Sequence, residues 1–189
     1  MKAASCHSPN YIFGGIHLHH MKILVVGPKG SGKTTIIKRI TTNTITTEVN
    51  GSTVGLDFGI LRTKDLIVHL FGSPGLQQFN IVRKALSSGS DGVVLVIDST
   101  DPQSIIEGEQ YIREIFGVNL PPIVVAANKQ DAPGAMSPQK IQGLLSIPAP
   151  VYPTSAHEGL GLIQLLDRFL EHLMQKGKGR DIITVLQNS

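Results

Sequence analysis

Gly27-Pro28-Lys29-Gly30-Ser31-Gly32-Lys33-Thr34 is the stretch that decides the fold of this chain. It fits Gly-x-x-x-x-Gly-Lys-Ser/Thr, and each residue type in that pattern has a physical reason. Glycines at 27, 30 and 32 let main-chain N–H groups curl round an anion with no Cβ in the way. The apolar, β-branched run Lys22–Val26 leads in and reads as a strand, while Thr34–Thr41 leads out and reads as a helix. The first turn of such a helix offers unpaired N–H groups and the positive end of its dipole. Ser31 and Thr35 stand beside the cradle, Lys33 is placed to reach β- and γ-phosphates, and the Thr34 hydroxyl to ligate Mg²⁺. At average composition the pattern arises by accident in about 1% of chains this long. Its place between strand and helix makes accident rarer still, so the stretch predicts a phosphate-binding loop.

Working outward, strands and helices alternate. Asp57–Arg62 and Leu66–Phe71 read as a hairpin, Gln78–Ser87 as a helix, and Gly92–Asp98 as a strand covered on both faces. Pro102–Phe116 has helical spacing, Ile123–Ala127 is a second buried strand, Pro138–Leu145 a helix and Val151–Thr154 a short strand. Leu160–Gln175 is an amphipathic helix through Leu162, Leu165, Leu166, Phe169, Leu170 and Leu173. The Thr-rich stretch 41–53 shows no clean periodicity. The expected fold is a three-layer α/β domain: a mostly parallel six-stranded sheet with one antiparallel edge strand and helices on both faces. The domain is expected over residues 21–175, with an atypical or disordered extension at 1–20 and a tail at 176–189.

Composition bounds the rest. The 189 residues, 41% of them hydrophobic, suffice for one domain with a sizeable core. A formal charge of +3, with no long block of Lys or Arg, gives no reason to expect nucleic acid as a partner. With Cys6 alone no internal disulfide can form, which suits a reducing cytoplasm. The sequence carries no apolar run of spanning length, signal-peptide core or lipidation box, so no direct membrane anchor is expected. His17, His19 and His20 admit a metal-binding reading, against the plainer one of an unstructured extension.

Which base accompanies the phosphates is set further along. Asn128-Lys129-Gln130-Asp131 follows Ile123–Ala127, at the carboxyl end of a strand, where open α/β sheets bind ligands. The Asp131 carboxylate can accept from both N1–H and the 2-amino group of guanine, a donor pair that adenine lacks. The Lys129 stem can cover a base face, and Asn128 can tie neighbouring loops together. After the last strand comes Ser155-Ala156, where the Ala156 N–H is placed to donate to guanine O6. The two motifs in this order make the guanine nucleotides GTP and GDP the expected ligands.

Over residues 21–175 the chain resembles a Ras-like small GTPase, of the prokaryotic type, in the P-loop GTPase superfamily. The resemblance implies that Lys33 and the loop glycines grip phosphate and that Asn128, Lys129 and Asp131 clamp guanine. It implies that the Thr53 hydroxyl joins Mg²⁺ when the γ-phosphate is present, and that the Gly75 N–H contacts that phosphate. An effector and activating or exchange proteins are the partners it implies.

Three departures matter. Gly72-Ser73-Pro74-Gly75 stands where relatives have Asp-x-x-Gly, so the carboxylate that normally holds a Mg²⁺-bound water is missing. Asp57 is either its replacement at Mg²⁺ or a solvated strand-edge acid. Leu76 stands where relatives carry the glutamine that orients water; Gln77, our catalytic candidate, or Gln78 would have to swing in. Lys29 takes a place often held by glycine, where it either crowds the γ-phosphate or stabilises charge there. A switch with slow intrinsic hydrolysis is expected. The alternatives are a nucleotide-dependent binding module with negligible hydrolysis and a P-loop kinase, for which no Arg-rich lid is visible.

Overall fold

The structure is a computed structural model that describes residues 12–13, 16–17, 19–41, 43–49, 52–63, 66–74 and 80–175. Strands β1 (Ile12–Phe13) and β2 (Ile16–His17) form a two-residue antiparallel ladder. The main sheet comprises β3 (His19–Val26), β4 (Asn43–Val49), β5 (Ser52–Arg62), β6 (Leu66–Gly72), β7 (Gly92–Asp98), β8 (Ile123–Asn128) and β9 (Val151–Pro153). Helices α1 (Lys33–Ile40), α2 (Asn80–Ser87), α3 (Gln103–Phe116), α4 (Pro138–Leu144) and α5 (Leu162–Gln175) cover it.

The strand order is β4-β5-β6-β3-β7-β8-β9. From β6 to β9 every neighbour is parallel; β5 runs antiparallel to both β4 and β6. The sheet therefore has seven strands where six were expected, and the antiparallel strand sits one place in from the edge. The extra strand is β4, drawn from the Thr-rich stretch. Its β-branched residues suit an extended backbone, and its ladder with β5 runs from Asn43↔Ile60 to Val49↔Ser52, with an irregularity after Thr47. The stretch carries no clean alternation of apolar and polar residues, so period-two reading misses this edge strand. Strand β3 also begins earlier than Lys22, because His19 and His20 find partners in Leu66 and Ile67 of β6.

Alternation along the central strands builds two cores. Ile23 and Val25, Val94 and Val96, and Val124 and Ala126 face α1 and α5, meeting Ile36, Ile37, Leu166 and Phe169. Leu24 and Val26, Val93 and Leu95, and Val125 and Ala127 face α3 and α4, meeting Ile105, Ile112 and Ile141. Strands covered on both faces read as unbroken apolar runs, as they do here. The parallel strands share one direction, so their carboxyl ends converge on one edge. There Val26, Gly72, Asp98 and Asn128 hand the chain to the loops that build the site.

Candidate functional site

The loop after β3 has the shape its glycines predict. A Cβ on Gly27 would lie 2.3 Å from the Val96 carbonyl oxygen, so only glycine lets the loop leave the sheet here. Gly32 has φ +102°, a conformation that other residues rarely adopt, and a Cβ there would meet Asn128 Nδ2 at 2.2 Å. That amide nitrogen is a partner: it donates to the Ser31 carbonyl at 2.8 Å. The other end of Asn128 accepts from the Ala156 N–H at 2.9 Å and from Thr154 Oγ1 at 3.4 Å. Asn128 is 2% exposed. One buried amide thus ties the phosphate loop to both loops expected at the base, the tying role that its position suggested. The Ala156 N–H, expected to donate to guanine O6, here donates to Asn128.

Lys33 opens α1 with its side chain buried, and its ammonium donates to the Pro28 carbonyl at 2.7 Å. Burial lowers its pKa to about 8, the Asp57 carboxylate opposing and the Arg83 cation reinforcing the shift. Helix α1 has no side-chain cap and no acid in its first turn, while Lys38 and Arg39 occupy its last. The charge arrangement favours an anion at the N-terminus. The Ser31 hydroxyl, 1% exposed, has no hydrogen-bond partner, a buried polar atom that a phosphate oxygen would satisfy. Lys29 and Thr35 are exposed, and Gly30 has open space around it.

Thr34 Oγ1 donates to Asp57 Oδ2. A hydroxyl that gives its proton to a carboxylate keeps its lone pairs, which is the donor chemistry a hard cation needs. Asp57 is 4% exposed, so the alternative of a solvated strand-edge acid does not hold. In the β5–β6 ladder Asp57 stands opposite Gly72, and a Cβ on Gly72 would lie 2.9 Å from the Asp57 Cβ. An aspartate at 72 and this aspartate at 57 compete for one space. Glycine at 72 leaves free the space beside the Asp57 side chain.

On the base side, Lys129 has φ +65°, strained for a residue with a Cβ. Its ammonium meets Asp98 Oδ2 at 2.5 Å. Burial works to raise the Asp98 pKa, but the hydrogen bonds from Lys129 and Thr100 outweigh it and the net shift is downward. Asp131 is exposed, and a hydrogen bond from Ser155 lowers its pKa, so it presents an ionised, acceptor-only edge at neutral pH. Gln130 anchors the loop by donating to Ser99 Oγ at 2.7 Å and to the Met136 carbonyl at 3.0 Å.

Thr53 falls within β5, but its side chain lies outside the described residues, as do Gly75, Leu76, Gln77 and Gln78 altogether. Sequence reasoning missed Asp98 and Gln130. The signal for Asp98 was available: it ends β7 opposite Asn128 in a parallel ladder, which puts its carboxylate beside Lys129.

The model of the ADP-ribosylation factor family matches residues 11–173. The chain is 28% identical over 181 residues to ADP-ribosylation factor-like protein 1 of Drosophila melanogaster, covering 89% of this chain and 97% of that protein. It is 30% identical over 139 residues to ADP-ribosylation factor-like protein 6 of Caenorhabditis elegans, covering 70% and 73%. Among solved structures, the Arl6 small GTPase of Trypanosoma brucei with the nucleotide analogue GppNp superposes with a TM-score of 0.70 at 19% identity, covering 84% of this chain and 99% of that one. That likeness establishes the shared fold.

Proposed function

The chain belongs to the ADP-ribosylation factor family of Ras-like GTPases and is a GTP-binding switch; from that premise we propose that it hydrolyses GTP slowly on its own and relies on protein partners to be turned on and off. The kinase alternative has no support from the family. The observation that carries the reading is the Asn128 bridge, because it holds a phosphate cradle and a guanine clamp at one end of the sheet.

Phosphates lie along the 27–34 loop, with Lys33 exchanging the Pro28 carbonyl for phosphate oxygens. Asp131 takes the guanine edge, and Asp98 holds Lys129 for its place along the base. Thr34 and Thr53 would hold Mg²⁺, with Asp57, which accepts from the Thr34 hydroxyl, in place of the missing aspartate. When bound, the ion would supply positive charge to the phosphates. Residues 41–53 and the segment from Gly75 sense the γ-phosphate and release when it is lost. Gln77 is the nearest candidate for orienting water, and Leu76 is the reason to expect slow chemistry. An effector, an activating protein and an exchange factor complete the cycle. The described residues contain no helix long and apolar enough to cross a membrane. The single cysteine, Cys6, supports our placing the protein in a reducing cytoplasm.

Two results test this. In single-turnover assays without partners, hydrolysis stays near the unassisted rate of about 10⁻⁴ s⁻¹; a rate at or above about 10⁻² s⁻¹ contradicts the role given to Leu76. Asp57→Ala removes the acceptor behind Thr34 and speeds GDP release in Mg²⁺ by about tenfold, the scale of a lost charge-assisted hydrogen bond. The difference between Mg²⁺ and EDTA shrinks accordingly. Unchanged release in both buffers removes Asp57 from the metal site.

A further inference from the structure

Asp131, given the guanine edge above, is exposed, and an exposed carboxylate discriminates between bases only where its loop is held in place. Ser155 reaches it from one side by a hydrogen bond. The loop itself, residues 131–135, is tied at both ends to Ser99, which directly follows β7 and is fully buried. At the start of the loop, Ser99 Oγ accepts from Gln130 Nε2 at 2.7 Å. At its end, the Ser99 carbonyl accepts from the Met136 N–H at 2.8 Å. Gln130 Nε2 closes the ring by also donating to the Met136 carbonyl at 3.0 Å. The Ser99 N–H donates to the Asn128 carbonyl at 2.9 Å. One buried residue thus spends its N–H, its carbonyl and its hydroxyl on the segment that carries the base motif.

Packing alone does not explain a serine here, because a buried hydroxyl is costly unless it is bonded and alanine fills almost the same space. Backbone strain gives these bonds a task. Lys129, between Asn128 and Gln130, has φ +65°, a conformation that persists only where its surroundings over-determine it. Ser99 holds the residue on either side of it, through the Asn128 carbonyl and the Gln130 amide, while Asp98 holds the Lys129 ammonium. We infer that Ser99 is a positioning residue for base recognition: through Gln130 it fixes the strained turn that leads into Asp131, and so sets how well that carboxylate meets both guanine donors at once. The inference rests on the reading that Asp131 takes the guanine edge. It makes Gln130, at the unspecified place of Asn-Lys-x-Asp, part of the base-reading device, although its side chain is spent on Ser99 and Met136.

The test measures GDP and inosine diphosphate (IDP) affinities of the full chain and its variants in Mg²⁺, together with thermal midpoints without nucleotide. Inosine lacks the 2-amino group, so the GDP:IDP ratio reports one of the two hydrogen bonds that Asp131 accepts, and diphosphates leave the γ-phosphate out of the comparison. The parent favours GDP by about tenfold or more, the scale of one hydrogen bond to a charged group. Ser99→Ala removes the acceptor for Gln130 and lowers that preference to about threefold. Gln130→Met removes the donor at nearly the same length and lowers it likewise, so the test stands even if the alanine variant does not fold. In the double variant the preference falls no further than in Gln130→Met, because both changes break the same bond. A purely structural Ser99 gives a different pattern, lower midpoints with an unchanged GDP:IDP ratio, which overturns the inference; so do losses that multiply in the double variant. Asp131→Ala separates this failure from failure of the underlying reading. If it abolishes the GDP:IDP preference while the Ser99 and Gln130 variants leave it alone, only the role of Ser99 falls; if it too leaves the ratio unchanged, the base reading falls with it.

Discussion

Lys33→Met lowers the affinity for both GTP and GDP by about a hundredfold or more, the cost of truncating one partner of a buried charge pair. Both nucleotides suffer because the ammonium serves the β-phosphate as well as the γ. Methionine preserves the unbranched stem that fills the start of α1, so the loss reports charge and not packing. A second expectation distinguishes function from scaffold. Without ligand, the Lys33 ammonium has one neutral carbonyl at 2.7 Å and is desolvated enough to bring its pKa to about 8. That burial is a cost to the ligand-free fold, which an anion in the loop offsets. The Met variant is therefore no less stable than the parent when both are free of nucleotide, and loses the stabilisation that GDP confers on the parent. Isothermal titration and thermal melts with and without GDP check both halves. Affinity within threefold of the parent removes Lys33 from the phosphate site.

Asp131→Asn lowers GTP affinity by about a hundredfold or more, because a site that pairs with polar groups penalises a mismatch heavily. The carboxylate is exposed and ionised at neutral pH, its pKa further lowered by the Ser155 hydrogen bond, and offers acceptors to the two donors of the guanine edge. The amide of the D131N variant offers one acceptor and one donor, and the donor faces another donor. Xanthosine triphosphate carries an oxygen in place of the 2-amino group and restores the match. Its affinity for the variant rises above that for GTP, reversing the order in the parent. Displacement of a fluorescent GDP analogue by each triphosphate reads the exchange directly. The same order of preference in variant and parent contradicts the placement of Asp131 at the base.

Much of this was legible from residue types alone, for identifiable reasons. The loop 27–34 and the 128–131 motif constrain backbone and hydrogen-bonding chemistry so tightly that few other structures use them together, and Gly32 against Asn128 shows why: each occupies the space the other's alternatives would need. The buried strands were legible because two-sided burial leaves only apolar residues. Strand β4 was not, since its seven residues pair with β5 along one edge and carry no periodic signature. Asp57 was half legible. Gly72 drew attention to the neighbouring strand, but only the register Asp57↔Gly72 and the hydrogen bond from Thr34 show where the Asp57 carboxylate lies. Ser99 was illegible. A serine just past a buried strand reads as a turn residue, and nothing in its neighbourhood in the sequence points to Gln130 and Met136, which lie beyond another strand. Buried polar contacts between distant segments are where local pattern carries least information.

The most direct test is competition binding to the purified, nucleotide-free protein in Mg²⁺, with GTP, GDP and ATP each displacing a fluorescent guanine nucleotide. The account predicts that GTP and GDP compete tightly and ATP at least about a thousandfold more weakly, the discrimination expected of a pocket with an ionised acceptor facing the base. Equal competition by ATP, or no binding of the guanine probe at all, would contradict it.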